Sequence, residues 1–138
     1  KAGVPGLSDN IHVHSIVGDF LEHARIFYFE NDGSPEVYMG SADWMPRNLD
    51  KRVEIMFPVE DPRLKDQVIH ILQIQLEDNV KAHILQPDGS YEKIDKRGKE
   101  LVMAQQQFCE EAVAAAEARR QELSPNVQDT RRFVPAEG

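Results

Sequence analysis

The strongest constraint on the fold is a cluster of turn-forming residues, Asn-Asp-Gly-Ser-Pro, at positions 31–35. Two short runs rich in β-branched and aromatic residues, 26–29 and 37–39, lie on either side of it. Such runs are typical of strands, and these residue types favour tight turns. The sequence therefore predicts a β-hairpin, and the hairpin decides which of the flanking residues meet.

Polar residues flank the predicted hairpin at its open end. His23 and Arg25 are two apart at the start of the first strand, and Ser41 and Asp43 are two apart at the end of the second. Residues two apart on a strand point to the same face. If the strands pair about the predicted turn, both polar pairs lie at the same end of the ribbon.

A second strong signal predicts an amphipathic helix at 62–78. Asp61 is a favourable N-cap, and Pro62 suits the first helical position, where its missing N–H is not needed. Apolar residues recur at helical spacing and predict one buried face. Its members are Leu64, Val68, Ile71, Leu72 and Leu76.

Weaker patterns predict the remaining elements. They are a brief strand at 11–14, a short helix at 16–22 capped by Ser15, a third strand at 52–57, short strands on either side of a turn at 86–90, and a second long helix at 99–122. The long helix has only a thin apolar stripe, so we expect it to dock at the edge of the domain or on a neighbouring domain. The predicted fold is α/β, a small mixed sheet flanked by helices.

The predicted organisation has three parts: a domain at 1–98, a C-terminal helix at 99–123, and a tail at 124–138 that we expect to be disordered. The chain opens on loop-forming residues without an initiating Met. We therefore expect a piece that begins partway along a longer protein.

Charge and cysteine content narrow the classes of function. The net charge is −8 and no segment is basic, which disfavours generic binding to nucleic acid or to a membrane surface. The single cysteine, Cys109, can form neither an internal disulfide nor a thiolate metal site, and it fits a reducing compartment. Any anion must therefore be held by a few placed arginines.

The stretch from His23 to Arg52 contains the residue types that phosphoryl transfer requires. Arginine clamps phosphoryl oxygens, and histidine, with an ordinary pKa near 6.5, exchanges protons near neutral pH. Short polar side chains can orient the histidine. The candidates are His23, Arg25, Arg47 and Arg52 as phosphate-binding groups, with Ser41, Asp43 and Asn48 as polar neighbours.

Structural roles explain the same residues from spacing alone. A histidine before a strand is often structural, an Asp beside a Trp often closes a turn, and Arg47 and Arg52 could pair with Asp50 and Glu54. The spacing therefore leaves both interpretations open.

Long, ordered blocks of the sequence resemble the C-terminal domain of bacterial polyphosphate kinase, and the similarity runs over about residues 3–94. The blocks are GVPGLSDNI at 3–11, SIV at 15–17, FLEHxRI at 20–26, SADWMxRNLDxRVE at 41–54, FPVEDP at 57–62, DNxKA at 78–82 and LQPDGSY at 85–91. The helix after residue 98 and the tail resemble the family less.

The resemblance implies an ATP:polyphosphate phosphotransferase of phospholipase D-like fold. Such an enzyme moves the terminal phosphate of ATP reversibly onto polyphosphate, works with Mg²⁺, and passes through a phosphohistidine. That histidine belongs to the preceding domain, which this chain lacks, so we expect the chain alone to be inactive. Mg²⁺ is held mainly by nucleotide phosphates and the preceding domain, and no metal ligand is predicted here.

The resemblance also implies roles for particular residues. His23, in Leu-Glu-His, matches the second active-site histidine of the family, which contacts nucleotide phosphates and acts as a proton donor or an electrostatic stabiliser. Arg52 matches an arginine that lines the phosphate tunnel. The implied partners are ATP or ADP, polyphosphate and the preceding domains. The family implies a cytoplasmic homo-oligomer, peripheral to the inner face of the membrane in some members.

Two other functions stay open at the level of sequence. His23-x-Arg25 followed by Gly40-Ser41-x-Asp43 resembles half of a phospholipase D site, so two copies could form a phosphodiesterase. Arg stands where that superfamily usually has Lys, and Asp where it often has Asn, which argues against diesterase activity. The other function is a non-catalytic module in which 40–54 is a partner surface.

Overall fold

The computed structural model describes residues 1–123 of the chain. Its strands are β1 (His14–Ile16), β2 (Ile26–Phe29), β3 (Glu36–Gly40), β4 (Met56–Pro58), β5 (Ala82–Leu85) and β6 (Tyr91–Lys93). Its helices are α1 (Pro46–Lys51), α2 (Pro62–Glu77) and α3 (Ala104–Leu123). The chain divides after Ala104 into two compact units, the first of which holds both sheets, α1 and α2.

The described strands form two antiparallel sheets. One has the order β1-β5-β6 and the other the order β2-β3-β4. The α/β class is confirmed, but the strands are split between two antiparallel sheets where one mixed sheet was predicted. The predicted strands around the 86–90 turn are confirmed as β5 and β6.

The predicted hairpin is confirmed as β2 and β3. Ile26 pairs with Met39 and Phe29 pairs with Glu36, with a 3₁₀ turn at Asn31–Gly33 between the strands. Asn31 and Asp32 have φ values of 47° and 52°, in the left-handed region that Asn and Asp tolerate better than most residues.

The predicted helix at 62–78 is confirmed as α2, and Asp61 caps it. The Asp61 carboxylate accepts hydrogen bonds from the backbone N–H groups of the next helical residues at 2.9 and 3.2 Å. The core that joins α2 to the hairpin consists of buried Val37, Val59 and Val68 with partly buried Ile26, Met39 and Ile69. The predicted apolar face is wider than the buried one, because Leu64 and Leu76 are 52% and 63% exposed.

The short helix predicted at 16–22 is wrong, because its first two residues continue the pairing with β5 and residues 18–22 are not helical. Ile16 pairs with Ala82, and the Val17 N–H donates to the Lys81 carbonyl at 3.1 Å. The brief strand predicted at 11–14 lies later, at β1 (His14–Ile16). Strand pairing across the chain therefore overrides the local helix signal.

The strand predicted at 52–57 is shorter and later, at β4 (Met56–Pro58). Helix α1, which ends at Lys51, was not predicted. Pro46 at its first position is the sequence signal that could have revealed this helix.

The second long helix begins at Ala104 and not at 99, so Leu101 and Val102 lie outside it. Asn79 holds the preceding segment: its Nδ2 donates to the Glu100 carbonyl at 2.7 Å, and its Oδ1 accepts from the Val102 N–H at 3.1 Å. The tail predicted to be disordered, 124–138, lies outside the described residues.

Asp78 follows α2 and is fully buried. One carboxylate oxygen accepts from the N–H groups of Val80, Lys81 and Ala82 at 3.0, 2.7 and 3.0 Å. The other accepts from the Ala104 N–H at 2.8 Å. Four backbone donors satisfy one carboxylate, which ties the end of α2 to β5 and to the start of α3.

Asp78→Ala is expected to lower the free energy of unfolding of the 138-residue chain by about 3 kcal/mol or more, because it leaves several buried N–H groups unpaired. Asp61→Ala is the matched control, since it removes an exposed helix cap worth about 1 kcal/mol. Urea denaturation of both variants measures the difference. Equal losses would contradict the role assigned to Asp78.

Candidate functional site

The open end of the hairpin brings three of the predicted residues together. Arg25 Nε donates to Asp43 Oδ1 at 2.8 Å, and Arg25 Nη1 donates to the His23 carbonyl at 3.0 Å. The pairing that aligns them continues past β2, because the Gly40 N–H donates to the Arg25 carbonyl at 3.0 Å. The two polar pairs were predicted to lie at the same end of the hairpin. In the structure, one residue of each pair, Arg25 and Asp43, is in direct contact.

The pKa of Asp43 shows which charges surround it. The hydrogen bond from Arg25 lowers that pKa most, partial burial opposes the shift, and the charges of Arg25, His23 and Arg47 lower it further. The same ion pair raises the pKa of Arg25, mainly through the hydrogen bond to Asp43, with a contribution from the charge of Glu54. His23, Arg25, Asp43 and Arg47 thus form one electrostatic cluster.

Ser41 bonds to Glu54, and no hydrogen bond joins it to His23. Its hydroxyl donates to Glu54 Oε2 and accepts from the Ile55 N–H at 3.1 Å, while its own N–H donates to the Ile55 carbonyl at 3.0 Å. Glu54 is half-buried and lies near Arg25. The sequence alone indicates Glu54 only as a partner for Arg52, because the approach of Glu54 to Ser41 depends on the pairing of β3 with β4.

Arg47 and Arg52 are exposed, and neither side chain forms an ion pair within residues 1–123. The structural pairs with Asp50 and Glu54 are therefore not formed in that part of the chain. Arg25 is engaged by Asp43 and by the His23 carbonyl, whereas Arg47 and Arg52 keep their guanidinium donors available for an anion.

An aromatic stack borders the cluster. The rings of Phe27 and Trp44 lie 5.9 Å apart at an interplanar angle of 23°, and Trp44 is 78% exposed. A cleft of about 190 Å³ opens beside them. It is lined by Phe27, Gly40, Ala42, Trp44, Leu49, Glu54, Ile55 and Met56.

Within residues 1–123, no group of three or more His, Cys, Asp or Glu side chains is arranged to hold a metal ion. None of the described helices is long and apolar enough to span a membrane. The side chains that the cluster offers are the exposed imidazole of His23 and the exposed guanidinium of Arg47, both close enough to Asp43 for their charges to lower its pKa.

Comparison with known proteins identifies the family. A family model described as polyphosphate kinase C-terminal domain 2 matches residues 1–105. The chain belongs to this family. The resemblance found in the sequence is thereby confirmed.

Polyphosphate kinases from several bacteria are similar to the chain. That of Lactiplantibacillus plantarum is 44% identical over 135 residues, which are 98% of this chain and 19% of the relative. Polyphosphate kinase 1 of Chlorobaculum tepidum is 58% identical over 91 residues, 66% of this chain and 13% of the relative. The crystal structure of Porphyromonas gingivalis polyphosphate kinase superposes with a TM-score of 0.75 at 39% identity, covering 83% of this chain and 18% of that one.

The chain thus spans about a fifth, or less, of the length of these polyphosphate kinases. Membership of the C-terminal domain family is shown for residues 1–105 of the chain. The roles predicted for His23, Arg25, Ser41, Asp43, Arg47 and Arg52 remain predictions.

Because the folded-state pKa of Asp43 lies below its ordinary value of 3.8, its ion pair stabilises the fold above that pH and is lost as the pH falls through the lowered value. In Arg25→Ala we expect the titration midpoint of Asp43 to rise towards 3.8. Carboxyl ¹³C NMR titration of the 138-residue chain measures it.

Asp95 is the internal control for this titration. A separate pair with Arg97, with Nη2 and Oδ2 2.7 Å apart, lowers its pKa. Its midpoint should not move in Arg25→Ala. An unchanged Asp43 midpoint would contradict the ion pair.

Proposed function

We propose that this chain forms one wall of a polyphosphate kinase active site and takes part in the reversible transfer of the terminal phosphate of ATP to polyphosphate. Family membership supports the reaction. The observation that carries the site is the placing of exposed His23 and of Arg47, which has no ion pair within residues 1–123, beside the Arg25–Asp43 pair. The phosphate-accepting histidine would lie in the preceding domain, so the chain alone should not turn over.

His23 is proposed to contact the phosphoryl group that is transferred. Its backbone carbonyl is held by Arg25, so the imidazole is anchored at its base while its ring is exposed. A histidine so placed can donate a proton or stabilise developing charge, which is typically worth about 10²–10⁴ in rate.

The three arginines are proposed to have different tasks. Arg47 and Arg52 bind phosphate, because no carboxylate within residues 1–123 engages them. Arg25 lies between Asp43 and the His23 carbonyl, so its first task is to position the histidine. Ser41 and Asp43 act through Glu54 and Arg25 respectively, not by direct contact with the imidazole.

Mg²⁺ and ATP or ADP enter this proposal through the family. The described residues of the chain do not form a metal site of three or more ligands, so no residue is proposed as a magnesium ligand. The metal would supply charge neutralisation on the nucleotide phosphates. We also propose a cytoplasmic enzyme that forms homo-oligomers and is modified as a phosphoprotein in its preceding domain.

In a full-length polyphosphate kinase carrying this domain, His23→Gln is expected to lower ATP formation from polyphosphate and ADP about a hundredfold or more. His12→Gln, at an exposed histidine outside the cluster, is the matched control and should retain normal turnover. Circular dichroism establishes that both variants fold. Near-normal turnover of His23→Gln would remove His23 from the site.

Arg52→Ala and Arg47→Ala are each expected to lower kcat/KM for polyphosphate about tenfold or more, since each removes a charge-assisted phosphate contact. Arg63→Ala is the control, because its side chain is 89% exposed on α2 and lies outside the cluster. If all three substitutions gave the same kcat/KM as the unsubstituted enzyme, phosphate binding by Arg47 and Arg52 would be refuted. Cleavage of a generic phosphodiester by the 138-residue chain alone would instead support the phosphodiesterase function.

A further inference from the structure

Helix α1 buries a polar residue and exposes its neighbours. Asn48 is only 3% exposed and is the one buried residue of α1, whereas Arg47 and Leu49 on either side are exposed. A short surface helix normally turns an apolar side chain inward. The inward position of an amide therefore requires an explanation.

The amide closes the turn that carries Asp43. Asn48 Nδ2 donates to the Asp43 carbonyl at 3.2 Å, and the Asn48 N–H donates to the Met45 carbonyl at 2.9 Å. The backbone of Asp43 is thus fixed from the helix side. Its carboxylate is fixed from the strand side by Arg25.

The carbonyl oxygen of the Asn48 side chain forms no stabilising hydrogen bond within the described residues. Asn48 Oδ1 is buried and has no hydrogen-bond partner among residues 1–123. Buried polar atoms are almost always paired, because removing them from water without a partner is unfavourable. A leucine of similar size would avoid this cost, so packing alone does not account for an asparagine here.

We propose that Asn48 is a positioning residue for phosphoryl transfer, which acts on His23 through Asp43 and Arg25. The contacts form one continuous path: Asn48 to the Asp43 backbone, the Asp43 carboxylate to Arg25, and Arg25 to the His23 carbonyl. Arg47, the preceding residue of the same helix, is exposed, so Asn48 also fixes the backbone position from which the Arg47 side chain extends. This inference rests on the proposed function for its catalytic consequence.

A double-mutant cycle tests the path in a full-length polyphosphate kinase carrying this domain. Asn48→Ala is expected to lower kcat/KM for ATP formation about 10- to 100-fold, the size of effect that a misplacement of about 1 Å can have. In the Asp43→Asn background the same substitution should cost less than about threefold, because the path is already broken. Equal losses in both backgrounds would overturn the proposal.

Asn79→Ala is the matched control for the cycle. Asn79 is also a partly buried asparagine whose Nδ2 donates to a backbone carbonyl, that of Glu100, but it lies outside the path. It should lower stability and leave kcat/KM unchanged in both backgrounds. If Asn48→Ala does not fold, Asn48→Ser, which keeps a smaller donor, replaces it in the same cycle.

A second readout does not depend on activity. In the 138-residue chain, Asn48→Ala should move the titration midpoint of Asp43 upward, because Asp43 loses the Arg25 hydrogen bond that lowers its pKa most, while the charges of His23 and Arg47 remain. A moved midpoint with unchanged kcat/KM would show that Asn48 is only structural and would overturn the proposal. A moved midpoint and a lowered kcat/KM in Asn48→Ala, together with normal turnover in His23→Gln, would reject the proposed role of His23 and with it the claim that Asn48 acts through His23.

Discussion

The fold of the first compact unit depends on one buried carboxylate. Asp78 accepts four backbone hydrogen bonds, three from the segment that enters β5 and one from Ala104. Strand β5 is the central strand of the β1-β5-β6 sheet, and its first residue, Ala82, is bonded to this carboxylate. Helix α2, which ends just before Asp78, packs on the other sheet through Val68. The two sheets are therefore linked by a helix with an aspartate at each end, one exposed and one buried.

The candidate site depends on a second carboxylate, Asp43, whose partner is a side chain and not the backbone. Asp78 organises backbone donors and serves the fold, whereas Asp43 binds a guanidinium at the end of the hairpin and serves the position of His23. Because Arg25 is neutralised by Asp43, it is less able to attract an anion than its charge suggests. Arg47 and Arg52 have no such partner within residues 1–123, which is why phosphate binding is proposed for them and not for Arg25.

Local signals in the sequence were sufficient for the hairpin and for α2. A turn cluster at 31–35 and an Asp61–Pro62 start determine those elements within a few residues. The errors fall where a distant partner decides: the Val17 N–H donates to the Lys81 carbonyl, and the Val102 N–H donates to Asn79 Oδ1. The approach of Arg25 to Asp43 could be predicted because the hairpin carries both. The buried amide of Asn48 could not, since α1 itself was missed.

An acidic chain can still bind a polyanion, provided that the contacts are short. The net charge of −8 is spread over the whole chain, and at physiological salt its field is screened beyond about 8 Å. A guanidinium in contact with a phosphoryl oxygen lies well inside that distance, and its hydrogen bonds are not screened in the same way. If Arg47 and Arg52 bind phosphate as proposed, specificity depends on where these two side chains are held and not on the sum of the charges. In the proposed function, the hydrogen bonds that hold the turn at 43–48 therefore matter for phosphate binding, because they fix the start of the helix that carries Arg47.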